Sequence, residues 1–442
     1  MKIISLFPAK LARLLNGIRR RLYLELLWQF SRRKGAPLPQ QPRFNLGFIV
    51  EEFFHSELRG FGGFGSTVKN IADHYNNGGK TFRAHVVLPN SLRKALRLEI
   101  KEYHNTQVLV CPSRGEYSLA GISRYQSLLA SMAAKLLVAI DYYPSYERPL
   151  RALPRTPLLI WIRDPRGREE WEKLASVPLE LKQRDMKSAA ELTGLADEKK
   201  NSMLRILELS RRTGRKVIFA ANAAFLTERA ARTYGIKDLN PYLLPNPIPI
   251  PDITGLACSP APSLCFIGRL DAQKRFWIVL ELARRFRDIT FYIAGGANSP
   301  QLVNPIIKKY ASLTNLKFMG MTDGPAKHKL LQTCWGLINT SVHEGLPVTF
   351  QEALAYGKPL ISCLNPDGLT EKFGYYTGEI IGDGLEEKDL EKFSRAINLF
   401  LNGERQRREK GRQGRLYIER THTFENFEKH LRDILAKEGI HA

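Results

Sequence analysis

Residues 264–294 read LCFIGRLDAQKRFWIVLELARRFRDITFYIA. Leu264 to Ile267 is a short apolar run of strand character, and Gly268 to Lys274 is a polar loop. Phe276 to Phe286 repeats apolar residues at helical spacing, and Thr290 to Ala294 is a second apolar run. A strand, a loop, a helix and a strand in that order make a crossover unit with parallel strands. The pattern continues with strands at Leu316 to Met319, Gly336 to Asn339 and Leu360 to Cys363, each followed by a helical stretch. Upstream it is already present. Asn45 to Val50 reads as a strand, Gly60 to Gly65 as a glycine-rich loop and Ser66 to Tyr75 as a helix. Further strands are expected at Ala84 to Leu88, Val108 to Cys111, Leu136 to Ile140, Leu158 to Ile162 and Val217 to Ala220.

Near-continuous apolar strands alternating with amphipathic helices require parallel sheets covered on both faces. The segment Leu244 to Ser263 holds six prolines, a density that suits neither a helix nor a central strand, and the linker between the two halves is expected there. The expected fold class is therefore α/β, two doubly wound Rossmann-like domains facing across a cleft. The expected divisions are an arm over 1–43, an acceptor-side domain over 44–247, a donor-nucleotide domain over 248–415 and a C-terminal helix over 416–442 crossing back to the first domain. In such sheets ligands bind at the carboxyl ends of the strands.

Composition bounds the partners. The 442 residues are 43% hydrophobic and 25% charged, with a formal net charge of +23. That balance excludes disordered, collagen-like and disulfide-scaffold classes. Five scattered cysteines, Cys111, Cys258, Cys265, Cys334 and Cys363, form no metal-ligand spacing and read as buried thiols of a reducing compartment. Residues 1–43 carry ten basic residues and one acid, a net of +9 of the +23. Leu11, Leu14, Leu15, Ile18, Leu22 and Leu26 line up as one apolar stripe, with Lys10, Arg13, Arg20 and Arg21 outside it. Such a basic amphipathic helix suits an anionic membrane surface, each basic residue contributing about 1 kcal/mol. The alternative is a helix docked on the next domain. No nucleic-acid reader motif accompanies the charge, so nucleic acid is not an expected partner. The expected location is cytoplasmic, peripheral to the cytoplasmic face of a membrane.

Two constellations carry the chemistry. In the first, Gly268 permits a tight turn directly after a buried strand, and Arg269 and Lys274 put a planar cationic fork and a point charge on the loop that a diphosphate would meet. The second is Glu344-Gly345-Leu346-Pro347-Val348-Thr349-Phe350-Gln351-Glu352. Pro347 suits the first helical turn and Gly345 leaves the helix start open, so its free amides can meet a phosphate. Glu344 and Glu352 are more than a helical turn apart, on the order of 10 Å. The paired carboxylates of a retaining glycosidase stand about 5–5.5 Å apart, so these two are expected to hold different parts of one extended ligand.

With these residues in view, the sequence over about 45–430 resembles the GT-B glycosyltransferases of family 4, retaining enzymes that use nucleotide sugars. The resemblance rests on GGFGSTVKNIA (Gly62 to Ala72), the block ending in LPNPI at Ile248, the GRLDAQK loop, and EGLPVTFQEALAYGKPLIS (Glu344 to Ser362) with its E-x7-E spacing. It implies that Arg269 and Lys274 bind the donor diphosphate, Glu344 contacts the transferred sugar and Glu352 the ribose. Gly62 and Gly63 would approach the phosphates and the acceptor, while Gly268, Gly345, Leu346, Pro347 and Val348 complete the donor site. It also implies a nucleoside-diphosphate sugar as donor substrate, no separate cofactor and no metal, and a saccharide or glycolipid acceptor. A non-catalytic sugar-nucleotide or polysaccharide-binding subunit of the same fold is the alternative.

One departure stands out. Where the family often has a His after the strand Leu158 to Ile162, this sequence has Arg163-Asp164. A permanent cation there would suit an acidic sugar or acceptor; the other reading is a structural Arg163–Asp164 pair. Asp141, after another strand end, is a further acceptor-side candidate. The charged stretch Arg166 to Lys216 is expected to be helical, as an acceptor flap or as cover for the sheet. The run Arg405 to Arg415 is expected to be a solvated helix face.

Overall fold

In the computed structural model the described residues are 22–29, 43–53, 58, 62–79, 81–92, 98–112, 119–178, 189–254 and 258–441. The chain forms two compact units. One comprises 1–162, 198–220 and 435–442, the other 163–197 and 221–434. The second unit thus takes in residues 163–197 and 221–247, which the expected boundary at 247 and 248 left with the first.

The first unit is built on strands β1 (Phe44–Ile49), β2 (Phe82–Leu92), β3 (Glu99–Tyr103), β4 (Thr106–Pro112), β5 (Leu136–Ile140), β6 (Leu158–Ile162) and β7 (Val217–Ala221), in the spatial order β3-β4-β2-β1-β5-β6-β7. Strands β1, β5 and β6 are buried along their whole length. They pair in parallel, Leu46 with Leu136 and Leu137 with Leu158. Only β3 runs antiparallel, joined to β4 by His104 and Asn105, both at positive φ, the conformation of a tight hairpin turn. The first helix, Gly63–Asn77, starts three residues before its expected position, so half of the glycine-rich loop is helical.

Residues 22–29 are helical, and this fragment docks on the same unit. Tyr23, Leu24, Leu27 and Trp28 are buried. Gln126 Nε2 donates to the Leu27 carbonyl at 2.9 Å, and the Arg148 and Arg212 guanidiniums lie over the Tyr23 and Trp28 rings. Leu22 and Leu26, the end of the expected stripe, remain 59% and 40% exposed. The rest of that stripe lies outside the described residues. Among the described residues no helix is long and apolar enough to cross a membrane.

In the second unit the two-residue strand β8 (Tyr242–Leu243) precedes β9 (Ser263–Ile267), β10 (Thr290–Ala294), β11 (Leu316–Gly320), β12 (Gly336–Asn339), β13 (Leu360–Ser362) and β14 (Gly374–Tyr376). The last six form one sheet in the order β11-β10-β9-β12-β13-β14, every pair parallel. Alternate residues of β9 serve opposite faces. Leu264 and Phe266 pack with Phe276, Ile278 and Leu280, and Cys265 packs with Leu337, Phe350 and Leu354. The chain leaves β9 toward β10 on one side while β12 adds on the other. The loops after β9 and β12 therefore emerge side by side at the point where strand order reverses, the position at which open α/β sheets bind ligands.

Three expectations need correction. The proline-rich segment is not a free linker at its start, because 244–248 is buried. There Asn246 donates to Gln351 Oε1 at 3.2 Å and its carbonyl bonds His422 Nδ1 at 2.9 Å. The basic run at 405–415 is not uniformly solvated. Arg407 donates to the carbonyls of Phe400 and Leu401 and stacks on Trp335, and Arg415 donates to those of Ala355 and Pro251. Of the cysteines, Cys258 is exposed and the other four are buried.

Candidate active site

The loop after β9 is held from below by an arginine that the sequence reading passed over. Arg275 is fully buried, at φ 46°, a left-handed conformation that costs an L residue strain. Its guanidinium donates to the carbonyls of Thr340 (2.7 Å), Ser341 (3.2 Å), Ile380 (2.9 Å) and Gly382 (3.1 Å) and to Cys363 Sγ (3.2 Å). Burial pushes its pKa below the usual arginine value. Arg275 thus ties the start of helix Phe276–Arg285 to the loop after β12. Two more bonds lock these loops together, Thr340 Oγ1 to the Lys274 carbonyl (2.8 Å) and Val342 N to the Gln273 carbonyl (2.9 Å).

This scaffold brings Lys274 and Glu344 into contact. Lys274 Nζ is ion-paired with Glu344 Oε1, which also accepts from Ser341 Oγ at 2.8 Å. Asp271 organises the other half of the loop. Its Oδ1 accepts from Lys274 N at 3.0 Å and its Oδ2 lies 3.0 Å from Arg269 Nε. Arg269 keeps a third of its side chain in solvent. Gly268 N donates to the Ala294 carbonyl at 3.0 Å, and a Cβ on Gly295 would stand 1.8 Å from the Gly268 carbonyl oxygen. The loops after β9 and β10 can approach only because that residue is glycine.

The second constellation forms a turn and a helix start. Pro347 is the N-cap of helix Val348–Ala355, one residue earlier than its expected place in the first helical turn. Leu346 and Val348 are buried hydrophobics. Glu352 projects from this helix and is paired with Lys327 Nζ at 2.8 Å, and Lys327 lies on helix Gly324–Thr333. Burial alone would lower the Lys327 pKa, but the Glu352 carboxylate and Asp323 raise it above the ordinary lysine value. Lys327, Asp271 and Arg275 are site residues missed in the sequence. Of the three, only Asp271 lay within a motif already singled out.

Arg163 and Asp164 also belong to this unit. Arg163 is 2% exposed, and a Cβ on Gly345 would come within 2.0 Å of its carbonyl oxygen. The Arg163 backbone therefore lies directly against the turn that carries Glu344. Asp164 pairs not with Arg163 but with Arg166 (2.6 Å) and His343 (2.8 Å). Burial would raise its carboxyl, yet Arg166 and His343 hold it well below the usual carboxylate range.

In the first unit, Gly62 is the N-cap of Gly63–Asn77, and the Glu52 carboxylate occupies that helix start, accepting from Gly65 N at 3.1 Å. A Cβ on Gly62 would meet the same carboxylate. Asp141 ends β5 at φ 56°, wholly buried and 3.0 Å from Lys199 Nζ. Helix Ala189–Thr213 supplies that lysine and also Ser202, which bonds Tyr142 and Glu147.

Within the second unit the geometry therefore joins Arg269, Lys274 and Glu344, places Glu352 on the adjoining helix and backs the Glu344 turn with Arg163 and Asp164. Two cations beside a helix start can hold a diphosphate, and carboxylates can accept from sugar hydroxyls. Among the described residues no three His, Cys, Asp or Glu side chains gather as a metal site.

Comparison with known proteins agrees with this layout. Residues 259–417 match the family of glycosyl transferases group 1. No curated protein matches the sequence significantly. Among solved structures, Anabaena Alr3699/HepE in complex with UDP and glucose aligns with TM-score 0.62 and 16% identity over 88% of this chain and 99% of its own. Sucrose-phosphate synthase from Thermosynechococcus elongatus aligns with TM-score 0.63 and 13% identity over 89% and 98%. WaaG, a glycosyltransferase involved in lipopolysaccharide biosynthesis, aligns with TM-score 0.56 and 13% identity over 88% and 99%. The fold is that of GT-B glycosyltransferases, and its second unit carries a glycosyl transferases group 1 domain.

Proposed function

We propose that this chain is a retaining glycosyltransferase of family 4 that moves a sugar from a nucleoside-diphosphate sugar to a lipid-linked or cell-envelope saccharide, working at the cytoplasmic face of a membrane. The observation that carries the reading is the contact of Lys274 with Glu344, 70 residues apart in sequence, beside the start of helix Val348–Ala355. One holds a phosphate and the other a sugar hydroxyl, so together they mark the junction of a nucleotide sugar. The UDP and glucose bound by HepE and the lipopolysaccharide role of WaaG support the donor and acceptor classes.

In this mechanism Arg269 and Lys274 neutralise the diphosphate as the bond between it and the anomeric carbon breaks, electrostatic stabilisation of a leaving group. Glu344 orients the sugar ring and Glu352 the ribose. The acceptor hydroxyl attacks the anomeric carbon from the face the diphosphate leaves. A donor phosphate oxygen takes its proton, so the products are the glycoside with retained configuration and the free nucleoside diphosphate.

The test is release of nucleoside diphosphate from a panel of UDP- and GDP-sugars by the full chain. One donor should turn over, and Lys274→Ala should slow it by about 10²- to 10³-fold. Release unaffected by that substitution, or no release from any donor, would overturn the assignment.

A further inference from the structure

The segment after β6 and the turn before Glu344 are joined by a closed ring of side chains. Asp164 accepts from Arg166 Nε at 2.8 Å and Nη2 at 2.6 Å, and from His343 Nε2 at 2.8 Å. An ionised carboxylate can only accept, so the His343 ring carries its hydrogen on Nε2 in this bond. Arg166 Nη2 reaches on to Gln273 Oε1 at 3.2 Å, and Gln273 Nε2 donates to the His343 carbonyl at 3.0 Å. The ring therefore runs from Asp164 through His343 and Gln273 to Arg166 and back. Its members come from three segments, the residues after β6, the donor loop and the turn after β12. A brace stands beside it. Arg229 Nη1 donates to the Glu344 carbonyl at 3.0 Å, and its Nε lies 3.4 Å from Glu170.

His343 is the residue next to Glu344, and its side chain reaches a partner 179 positions earlier in the chain. On the other side of Glu344, Gly345 sits against the Arg163 carbonyl. The Glu344 turn is thus clamped on both flanks by residues 163 and 164. The carboxylate of Glu344 itself is held by Lys274 and Ser341, groups that a bound donor would compete for, whereas the clamp leaves the carboxylate untouched.

We propose that Asp164 and His343 are positioning residues that fix the Glu344 turn relative to the donor loop, so that Glu344 keeps its place when Lys274 transfers to the diphosphate. This rests on the reading of Glu344 as the sugar-binding carboxylate. It also gives the Arg163-Asp164 dipeptide a task at the place where related sequences often have a His: its backbone and its carboxylate form the rear wall of the turn. A displacement of about 1 Å in such a group costs on the order of 10²-fold in rate.

The test compares His343→Ala, His343→Gln and Asp164→Ala in the full chain by amide hydrogen exchange over 341–346 and by donor turnover. A glutamine at 343 keeps an N–H that can reach Asp164. His343→Ala and Asp164→Ala are expected to speed exchange in this turn by about tenfold and to lower kcat by about 10²-fold, with donor KM within about threefold. His343→Gln should recover most of both. Unchanged exchange in His343→Ala, or equal damage in the alanine and glutamine variants, would overturn the proposal. If Asp164→Ala does not fold, the His343 pair alone decides. If the unaltered chain turns over no donor, the glycosyltransferase reading fails, while exchange in the turn still decides the positioning role.

Discussion

Lys274 and Glu344 are each other's ion partner, so a diphosphate that takes Lys274 must first part it from a carboxylate. The two substitutions should therefore differ in binding. Lys274→Ala removes the cation and should weaken nucleoside-diphosphate affinity, whereas Glu344→Ala frees the cation and should leave that affinity equal or several-fold tighter. Turnover should fall by about 10²-fold or more in both. Calorimetric titration with UDP and GDP beside a turnover assay separates the outcomes, and weaker diphosphate binding by Glu344→Ala would contradict the shared ion pair. His422 gives a second expectation, for stability. Burial pushes its pKa down to about 4, with Arg163 adding to the effect against a hydrogen bond to the Asn246 carbonyl. The unfolded chain binds that proton at about 6.5, so between these values the unfolded state holds more protons and stability falls as pH falls. The contribution is complete above pH 6.5, is lost progressively toward pH 4 and amounts to roughly 3 kcal/mol over the window. Melting temperature against pH should drop through this range, and His422→Gln should flatten the drop.

At the scale of elements, the glycines separate into two kinds. A methyl on Gly345 meets a backbone carbonyl at 2.0 Å, which no rotamer change relieves, whereas a methyl on Gly62 meets the end of the Glu52 side chain at 1.9 Å. Gly345→Ala should therefore cost about 1–3 kcal/mol by overpacking and displace the Glu344 turn, abolishing turnover. Gly62→Ala should cost about 1 kcal/mol, the worth of the helix cap that Glu52 loses when it swings aside. Thermal melts of the two variants test the order. The same contrast explains what could be read in advance. Strands β5, β6, β10 and β12 lie where their apolar runs put them, because a strand buried on both faces writes an unbroken signal. Strand β3, Glu-Ile-Lys-Glu-Tyr, escaped notice because an edge strand with mostly solvated residues has no such run. Within the site, Arg269, Lys274, Glu344 and Glu352 were legible from local spacing, since each sits at a strand end or a helix start. Lys327 and His343 were not, because their meaning depends on partners 25 and 179 residues away. Arg275 looked like one more charge on a basic loop until its carbonyl partners were in place.

At the scale of the whole molecule, the net charge of +23 divides by task. Within the second unit only a few cations face the proposed diphosphate, and others such as Arg275, Arg407 and Arg415 bind backbone carbonyls. The arm is the remaining concentration, and its end bears on how the membrane proposal must be tested. Removing all of 1–43 would also remove Tyr23, Leu24, Leu27 and Trp28, four buried side chains of the first unit. Lost vesicle binding would then be indistinguishable from a damaged domain. Residues 1–21 hold six basic residues, no acid, and Leu11, Leu14, Leu15 and Ile18. Their deletion leaves the docked fragment in place, together with the exposed Leu22 and Leu26 that continue the stripe. At about 1 kcal/mol per basic residue, the segment supplies several kcal/mol of attraction to an anionic surface, weakened by salt. Sedimentation with vesicles of mixed neutral and anionic lipid should therefore recover the full chain at low salt and much less at high salt. The chain lacking 1–21 should stay in the supernatant while melting at the same temperature and releasing nucleoside diphosphate at the same rate. Equal recovery of the two forms on anionic vesicles would remove the membrane surface from the proposal and leave the arm as a docked helix alone.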